Sequence, residues 1–326
     1  MHRARDKMCP TAPDHLFNVS PSTNLVMIVT VLGSGSNGGV PQWDCCCPNC
    51  ARARGDPGLR RTRSSVAVSV DGDRHLLFDA TPDLKFQLEN LGLVPRADVA
   101  VSGRESRIDS VLLTHGHGDH CVGVAEFSTG KSFQIPVYGP PDLIRFLFGD
   151  PAHPNFFGDL GRLARNYVEP RVFLDGSRLE FLNGIAVTGF EVEHTDRLED
   201  GTRFPSSTYG YEVEAGGRRF VYTPDLGRLT DELLGRVEGA DLFMLDATFW
   251  WNDELARVSG LGKTSYDLGH VPVEESVRIL EDVDIGRVVY THLNHTNPLL
   301  DPAQKMRQIV DMVGFEIAYD GMEVEL

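Results

Sequence analysis

The chain has 326 residues, 41% hydrophobic and 24% charged with 33 glycines, which is the composition of an ordinary globular protein and excludes a disordered or collagen-like one. Its formal charge of −16 repels nucleic-acid phosphates, except where bound divalent metal would cancel it locally, so nucleic acid is not an expected partner. No apolar run approaches the ~20 residues that span a bilayer, and residues 1–24 lack the apolar core of a signal peptide, so a cytoplasmic protein without a membrane partner is expected.

Residues 1–25 mix charge and proline, with Leu16, Phe17 and Val19 as scattered apolar side chains, and read as a poorly ordered extension. Residues 26–326 read as one catalytic domain. Residues 25–32 have the length and apolarity of a buried strand, closed by a glycine-rich loop from Gly33 to Gly39. The loop matches GxGxxG, but Pro41 and a cysteine cluster follow where a dinucleotide fold would start a helix, so it reads as a tight loop. Residues 65–70 and 75–79 flank Asp71-Gly72, a hairpin signal whose second strand ends in Asp79. Pro82 then opens a helix that Gly92 ends.

An apolar strand over 111–114 leads into His115. Further on, 209–214 and 218–223 flank Ala215-Gly216-Gly217 and run into Pro224-Asp225, repeating the first hairpin's plan and hinting at duplication. Residues 242–245 form a strand before Trp250 and Trp251, each suited either to the core or to stacking on an aromatic substrate. Another strand ends at Thr291 before His292, and helices begin near Pro272 and Pro302. Strand ends thus deliver polar side chains to one edge. Each half supplies a mostly antiparallel sheet whose apolar face needs cover from the other half and from helices outside, which predicts an α/β four-layer sandwich.

His115-Gly116-His117-Gly118-Asp119-His120 crowds three imidazoles and a carboxylate into one loop, and lone histidines His194, His270 and His292 stand at other strand ends. A solvated histidine-rich turn is disfavoured by the apolar strand and Thr114 just before the run. Mixed imidazole and carboxylate donors suit zinc, iron or manganese. Four of the six cysteines fall at 45–50, too crowded for a disulfide framework. Cys45, Cys47 and Cys50 are spaced to face one zinc and need a fourth ligand, for which His295, three residues after His292, is preferred over Cys46; Cys9 and Cys121 are bystanders. His270 stands just before the helix at Pro272, where an anion is favoured, so it is expected to hold a substrate carboxylate or phosphate and to donate a proton.

This constellation resembles the metallo-β-lactamase superfamily over nearly the whole chain, which implies the metallo-β-lactamase fold, a four-layer αββα sandwich. By matching motifs, His115, His117 and His194 look like ligands of a first metal, Asp119, His120 and His292 like ligands of a second, and Asp225 like the bridge. Asp119 and His270 are the catalytic candidates, and Asp79 is similar to the buried aspartate that orients ligand loops by hydrogen bonds. In the superfamily's phosphonate-pathway phosphodiesterases a matching set of three cysteines and a histidine closes a structural zinc. The implied cofactors are one or two divalent ions (Fe, Zn or Mn) in the active site and one structural Zn.

A closer resemblance is to the coenzyme PQQ biosynthesis protein B family. It is carried by Val31-Leu-Gly-Ser34, the segment Gly39-Val-Pro-Gln-Trp-Asp to Cys50, Arg61-Thr-Arg-Ser-Ser65, Asp246-Ala-Thr-Phe-Trp250, Asp253-Glu-Leu255, Gly269-His270, Thr291-His-Leu-Asn-His-Thr-Asn-Pro298 and Asp320-Gly-Met322. The chain departs from many members by keeping His115, His117 and Asp225, and by placing His295 where they carry asparagine. The family implies hydroxylation of the tyrosine ring of a glutamate-tyrosine unit from a small precursor peptide, with iron and dioxygen. Two other readings stand beside it: hydrolysis of a phosphodiester, ester or lactone by metal-activated water, and a carrier of PQQ or its precursor. The expected partner is a small-molecule or short-peptide substrate with an anionic group, and a homo-oligomer is left open.

Overall fold

The computed structural model describes residues 25–96, 105–129, 134–149, 167–194, 206–260 and 262–326; of the expected N-terminal extension, residues 1–24 lie outside them. Two seven-stranded sheets face each other. The first runs in the order β14 (Glu323–Glu325), β1 (Ile28–Gly33), β2 (Ser65–Ser69), β3 (His75–Phe78), β4 (Ile108–Leu112), β5 (Ile135–Gly139), β6 (Val168–Val172). The second runs β13 (Glu316–Ile317), β12 (Val288–Thr291), β11 (Leu242–Asp246), β10 (Arg218–Thr223), β9 (Tyr209–Ala215), β8 (Ala186–Glu191), β7 (Arg178–Glu180).

The sheets share one plan, as the repeated hairpin hints. In the first, the pairs from β14 to β3 are antiparallel and those from β3 to β6 parallel. In the second, β7 to β10 pair antiparallel and β10 to β13 parallel. The sheets are therefore evenly mixed, which corrects the expectation of mostly antiparallel ones. The hairpins β2–β3, β7–β8 and β9–β10 supply half of the antiparallel pairs, while the parallel part needs long crossovers, and those crossovers carry helices and ligand loops.

Burial explains why the strands read as apolar runs instead of clean alternations. Val66 and Val68 of β2 and Phe78 of β3 point between the sheets, where they meet Tyr211, Phe220, Tyr222 and Met244. The alternate residues Ala67 and Leu77 point outward, under Leu84 and Leu143 of the helices Leu84–Asn90 and Pro141–Phe148. In β11, Leu242 and Met244 face inward, while Phe243 and Leu245 pack with Leu233 and Val277 of the helices Asp231–Val237 and Val273–Leu280. Helices thus cover both outer faces and complete the αββα layering. No helix among the described residues is long and apolar enough to cross a membrane.

The two hairpins close differently. Gly216 and Gly217, at φ +59° and +80°, make a two-residue turn, because Ala215 pairs with Arg218 and so belongs to β9 and not to the expected three-residue link. At Asp71-Gly72 the pairing already stops at Val68–Leu76, and Asp71 Oδ1 shapes a longer turn by accepting the N–H groups of Asp73 (2.8 Å) and Arg74 (2.9 Å). The helix expected near Pro302 begins only at Lys305. The glycine-rich loop is a close-packing device: a Cβ on Gly33 would sit 2.0 Å from Arg63 O, and Ser34 and Ser36 exchange backbone hydrogen bonds with Leu293.

Candidate metal centre

Strands β3, β4, β8, β10, β11 and β12 deliver their C-terminal ends to one edge of the sandwich. Asp79 follows β3, the His115 run follows β4, His194 follows β8, Asp225 follows β10, Asp246 closes β11 and His292 follows β12. His117 caps a short helix, Gly118–Cys121, that carries Asp119 and His120 on its first turn. His292 takes up a left-handed backbone, φ +60°, which turns its ring inward off the strand end.

The ligand atoms of His115, His117, His194 and Asp225 lie within 4.8 Å of one another, and so do those of Asp119, His120 and His292. His115 Nε2 faces His117 Nδ1 at 2.8 Å, and His120 Nε2 faces His292 Nε2 at 3.3 Å. Asp225 stands between the groups: Oδ1 is 3.8 Å from His194 Nε2, while Oδ2 is 3.1 Å from His120 Nε2 and 3.5 Å from His292 Nε2. A buried oxygen of this kind, Asp225 Oδ2, makes no hydrogen bond of good geometry. Lone pairs that converge in a dry site are reconciled by cations, so the residues fit metal ions in both groups.

The electrostatics agree with that fit. Burial alone would raise the carboxylic acids and depress the imidazoles. His120 is nonetheless held well above its ordinary value by Asp119, Asp225 and Asp79. Against the same burial, His292 and His120 hold Asp225 well below the carboxylate range, and His120 and His292 do so for Asp119. His115 falls well below its ordinary value because burial and the His120 charge act together.

The second nitrogen of most rings is engaged away from the centre. Asp79, held at φ +64° and fully buried, accepts Thr114 N–H at 2.8 Å and faces His120 Nδ1 at 2.8 Å, as the aspartate's expected orienting role requires. His194 Nδ1 donates to Gly269 O at 2.7 Å. His292 Nδ1 faces Thr248 Oγ1 at 2.8 Å, and His270 Nδ1 faces Asp246 Oδ2 at 2.6 Å. Sequence reasoning singled out neither Asp246 nor Thr248 for a role. The available signal was a carboxylate closing an apolar strand, the same signal that marked Asp79.

His270 is buried, its ring 5.7 Å from that of His292 and nearly parallel to it, and Asp225, His270 and His292 form a third convergent group. The anion site expected at the adjoining helix end is corrected by its backbone. Val273 N–H and Glu274 N–H, at the start of that helix, donate to Phe249 O (2.9 Å) and Trp250 O (3.1 Å), so those N–H groups are spent. Trp250 belongs to the outer core, and Trp251 packs against it under Arg257, whose guanidinium lies 4.4 Å from the ring. The aromatic ring beside His270 is that of Phe249, 5.9 Å away and edge-on.

Cys45, Cys47, Cys50 and His295 form a separate cluster with ligand atoms within 4.8 Å, and Cys47 Sγ lies 3.5 Å from His295 Nδ1. Cys46 is exposed and outside the group, Cys121 is buried against Gly116 O, and Cys9 lies outside the described residues. Asn49 staples the two loops by donating to His295 O and Asn297 O, both at 3.0 Å. Burial raises the Cys47 thiol and pushes Cys50 up to about 12, so thiolates at this place call for a cation to hold them. Three thiol donors and one imidazole suit a closed zinc site.

The β-lactamase superfamily domain model matches residues 74–293. The chain is 36% identical over 313 residues to coenzyme PQQ synthesis protein B of Methylobacterium radiotolerans, covering 92% of this chain and 100% of that protein. Its fold is similar to the crystal structure of Zn²⁺-bound PqqB from Methylobacterium extorquens, with a TM-score of 0.81, 33% identity and coverage of 92% and 100%. It is also similar to a diphosphatase of the PhnP family, with a TM-score of 0.66, 24% identity and coverage of 92% and 97%, a likeness of fold alone.

Proposed function

The chain belongs to the β-lactamase superfamily and, within it, to the coenzyme PQQ synthesis protein B family, and from that premise we propose a metal-dependent enzyme of PQQ synthesis or of a related route to a peptide-derived product. The reaction assigned to it is metal- and dioxygen-dependent hydroxylation of a tyrosine-derived precursor. The observation that carries the enzyme reading is the convergence of six buried or partly buried donors about Asp225, an arrangement that a carrier of PQQ or its precursor has no need of.

His115, His117, His194 and Asp225 would hold one ion, and Asp119, His120 and His292, with the far oxygen of Asp225, the other. Ions there supply Lewis acidity and, where iron is bound, redox chemistry. The protein's own part is to orient and to move protons. Asp246 anchors Nδ1 of His270 and sets which ring nitrogen carries the proton, so His270 can exchange a proton through Nε2. Asp119 Oδ2, 3.4 Å from His292 Nε2, holds its place in the second group, and the burial of His115, Asp119, His120, Asp225 and His292 restricts the access of bulk water to them.

A second reading, hydrolysis of a phosphodiester, ester or lactone, is favoured by one observation. The two oxygens of Asp225 face different donor groups, which suits a pair of ions clamping an anionic substrate. Protein loaded with iron without oxygen, then given oxygen and a tyrosine-containing precursor peptide, is expected to take up oxygen and yield hydroxylated tyrosine. Absence of oxygen uptake, together with oxygen-independent cleavage of a phosphodiester by the zinc- or manganese-loaded protein, would replace hydroxylation by hydrolysis.

A further inference from the structure

Each half of the sandwich carries the same polar device beneath the donors. In the first half, Asp79 Oδ1 accepts from Thr114 N (2.8 Å) and Thr114 Oγ1 (3.0 Å), while Asp79 Oδ2 faces His120 Nδ1 (2.8 Å) and Thr114 Oγ1 faces His115 Nδ1 (2.9 Å). In the second, Asp246 Oδ1 accepts from Thr248 N (2.7 Å) and Thr248 Oγ1 (2.6 Å), Asp246 Oδ2 faces His270 Nδ1 (2.6 Å), and Thr248 Oγ1 faces His292 Nδ1 (2.8 Å). In these contacts an aspartate, a threonine and two histidines are joined in the same order; the halves differ in that Thr114 Oγ1 also lies 3.1 Å from Asp79 Oδ2, and Thr248 Oγ1 3.1 Å from His270 Nδ1.

We infer that Asp246 and Thr248 are positioning residues whose hydroxyl relay presents His292 to the second metal group, as the Asp79–Thr114 relay presents His115 to the first. The argument is one of proton counting. Asp246 is fully buried and collects four donors, with Leu226 N–H at 3.0 Å as the fourth, so it is a saturated carboxylate. Thr248 has one hydroxyl proton and gives it to that carboxylate, so its oxygen is left to accept from His292 Nδ1–H. The lone pair of His292 is thereby moved to Nε2, the atom that faces His120 Nε2 at 3.3 Å and Asp119 Oδ2 at 3.4 Å. A valine at 248 would keep the shape and remove both steps.

The inference rests on these donors holding metal, and on no particular reaction. Its test is the zinc content of the full-length protein, with the affinity of each equivalent measured by competition with a chelator. Wild type is expected to hold three zinc ions, two in the centre and one on the cysteines; a wild type that holds zinc only on the cysteines defeats the metal reading itself. Given a loaded wild type, Thr248→Val is expected to weaken one centre ion roughly 10- to 100-fold, the cost typical of losing a ligand's outer partner. Thr248→Ser restores it, because serine keeps the hydroxyl. Thr114→Val weakens the other ion.

Thr248→Val adds nothing further in a His292→Ala background, and Thr114→Val adds nothing in a His115→Ala background, because each relay acts through its histidine. Wild-type zinc affinity in Thr248→Val, or failure of Thr248→Ser to rescue, overturns the relay. Nitrogen-15 NMR of zinc-loaded wild type provides an independent reading that requires no variant. A proton on Nδ1 of His292 is expected, and a proton on Nε2 overturns the inference.

Discussion

The cysteine cluster draws three of its four donors from residues 45–50, whereas the histidine-carboxylate centre draws its seven from segments that follow β4, β8, β10 and β12. The clusters also differ in what they are without metal. Burial raises the Cys47 and Cys50 thiols, so an ion bound by this loop would draw its donors together and fix its shape. In the centre, His120 Nδ1 faces Asp79 Oδ2 and its Nε2 lies beside Asp119 and Asp225, so contacts with buried carboxylates hold the ring in place. A centre assembled from strand ends is a product of the fold, whereas a cluster drawn mainly from one loop would, with metal bound, contribute to it.

The largest effect that tests this contrast is on turnover. His117→Ala and Asp225→Ala are each expected to lower activity by more than the roughly 10- to 100-fold cost of losing a supporting partner. Circular dichroism and melting temperature should stay near wild type while bound metal in the centre falls. Unfolding in both variants would erase the distinction between the sites.

Cys47→Ser and His295→Ala should do the reverse. Each is expected to remove one equivalent of zinc and to lower the melting temperature by several degrees, about 2–4 °C for each 1 kcal/mol lost in a domain of moderate size. Activity falls only indirectly, through the loop that His295 shares with His292. Unchanged zinc content and melting would dismiss a structural metal.

Glu254 sits between the two regions and sharpens the comparison through pH. Its Oε2 accepts Trp250 N–H at 2.6 Å, and its Oε1 accepts the hydroxyl of Thr296, the neighbour of His295. Burial lifts its carboxyl from 4.5 to about 7 against the pull of these bonds. The folded protein then keeps a proton that the unfolded chain releases, so stability falls as pH rises from 4.5 to about 7 and levels off above. The fall amounts to about 3.5 kcal/mol at most, at ~1.4 kcal/mol per pH unit. Glu254→Gln should flatten this part of a melting-temperature profile, and an unaltered slope would assign the titration to another group.

The smallest effect is expected at the N-terminus. A chain starting at Met27 keeps the pair of backbone bonds between Met27 and Leu326 that closes β1 on β14, and among the described residues it loses Leu25 and Val26, with Leu25 lying against the turns at Gly216 and Gly184. It should bind the same metals and turn over substrate at the full-length rate. Aggregation, or a change of oligomeric state seen by light scattering, would give residues 1–24 a structural part.

The amino-acid sequence by itself determined the local chemistry: the His115 run, the cysteine spacing, and the two hairpins that end in Asp79 and Pro224-Asp225. Covalent proximity settles such groups, because donors within a few residues of one another meet in almost any conformation the loop adopts. Alternation hidden in apolar runs also marked the strands that are covered on both faces. Other features arose only in the folded chain. The parallel pairing of β3 to β6, the closure of β1 by β14, the occupation of the helix end at Val273 by Phe249 O, and the link from Asp246 through Thr248 to His292 join distant segments. A sequence records which polar groups must find partners; which partners they find depends on how two sheets pack, and that is decided by the buried surface of the whole domain.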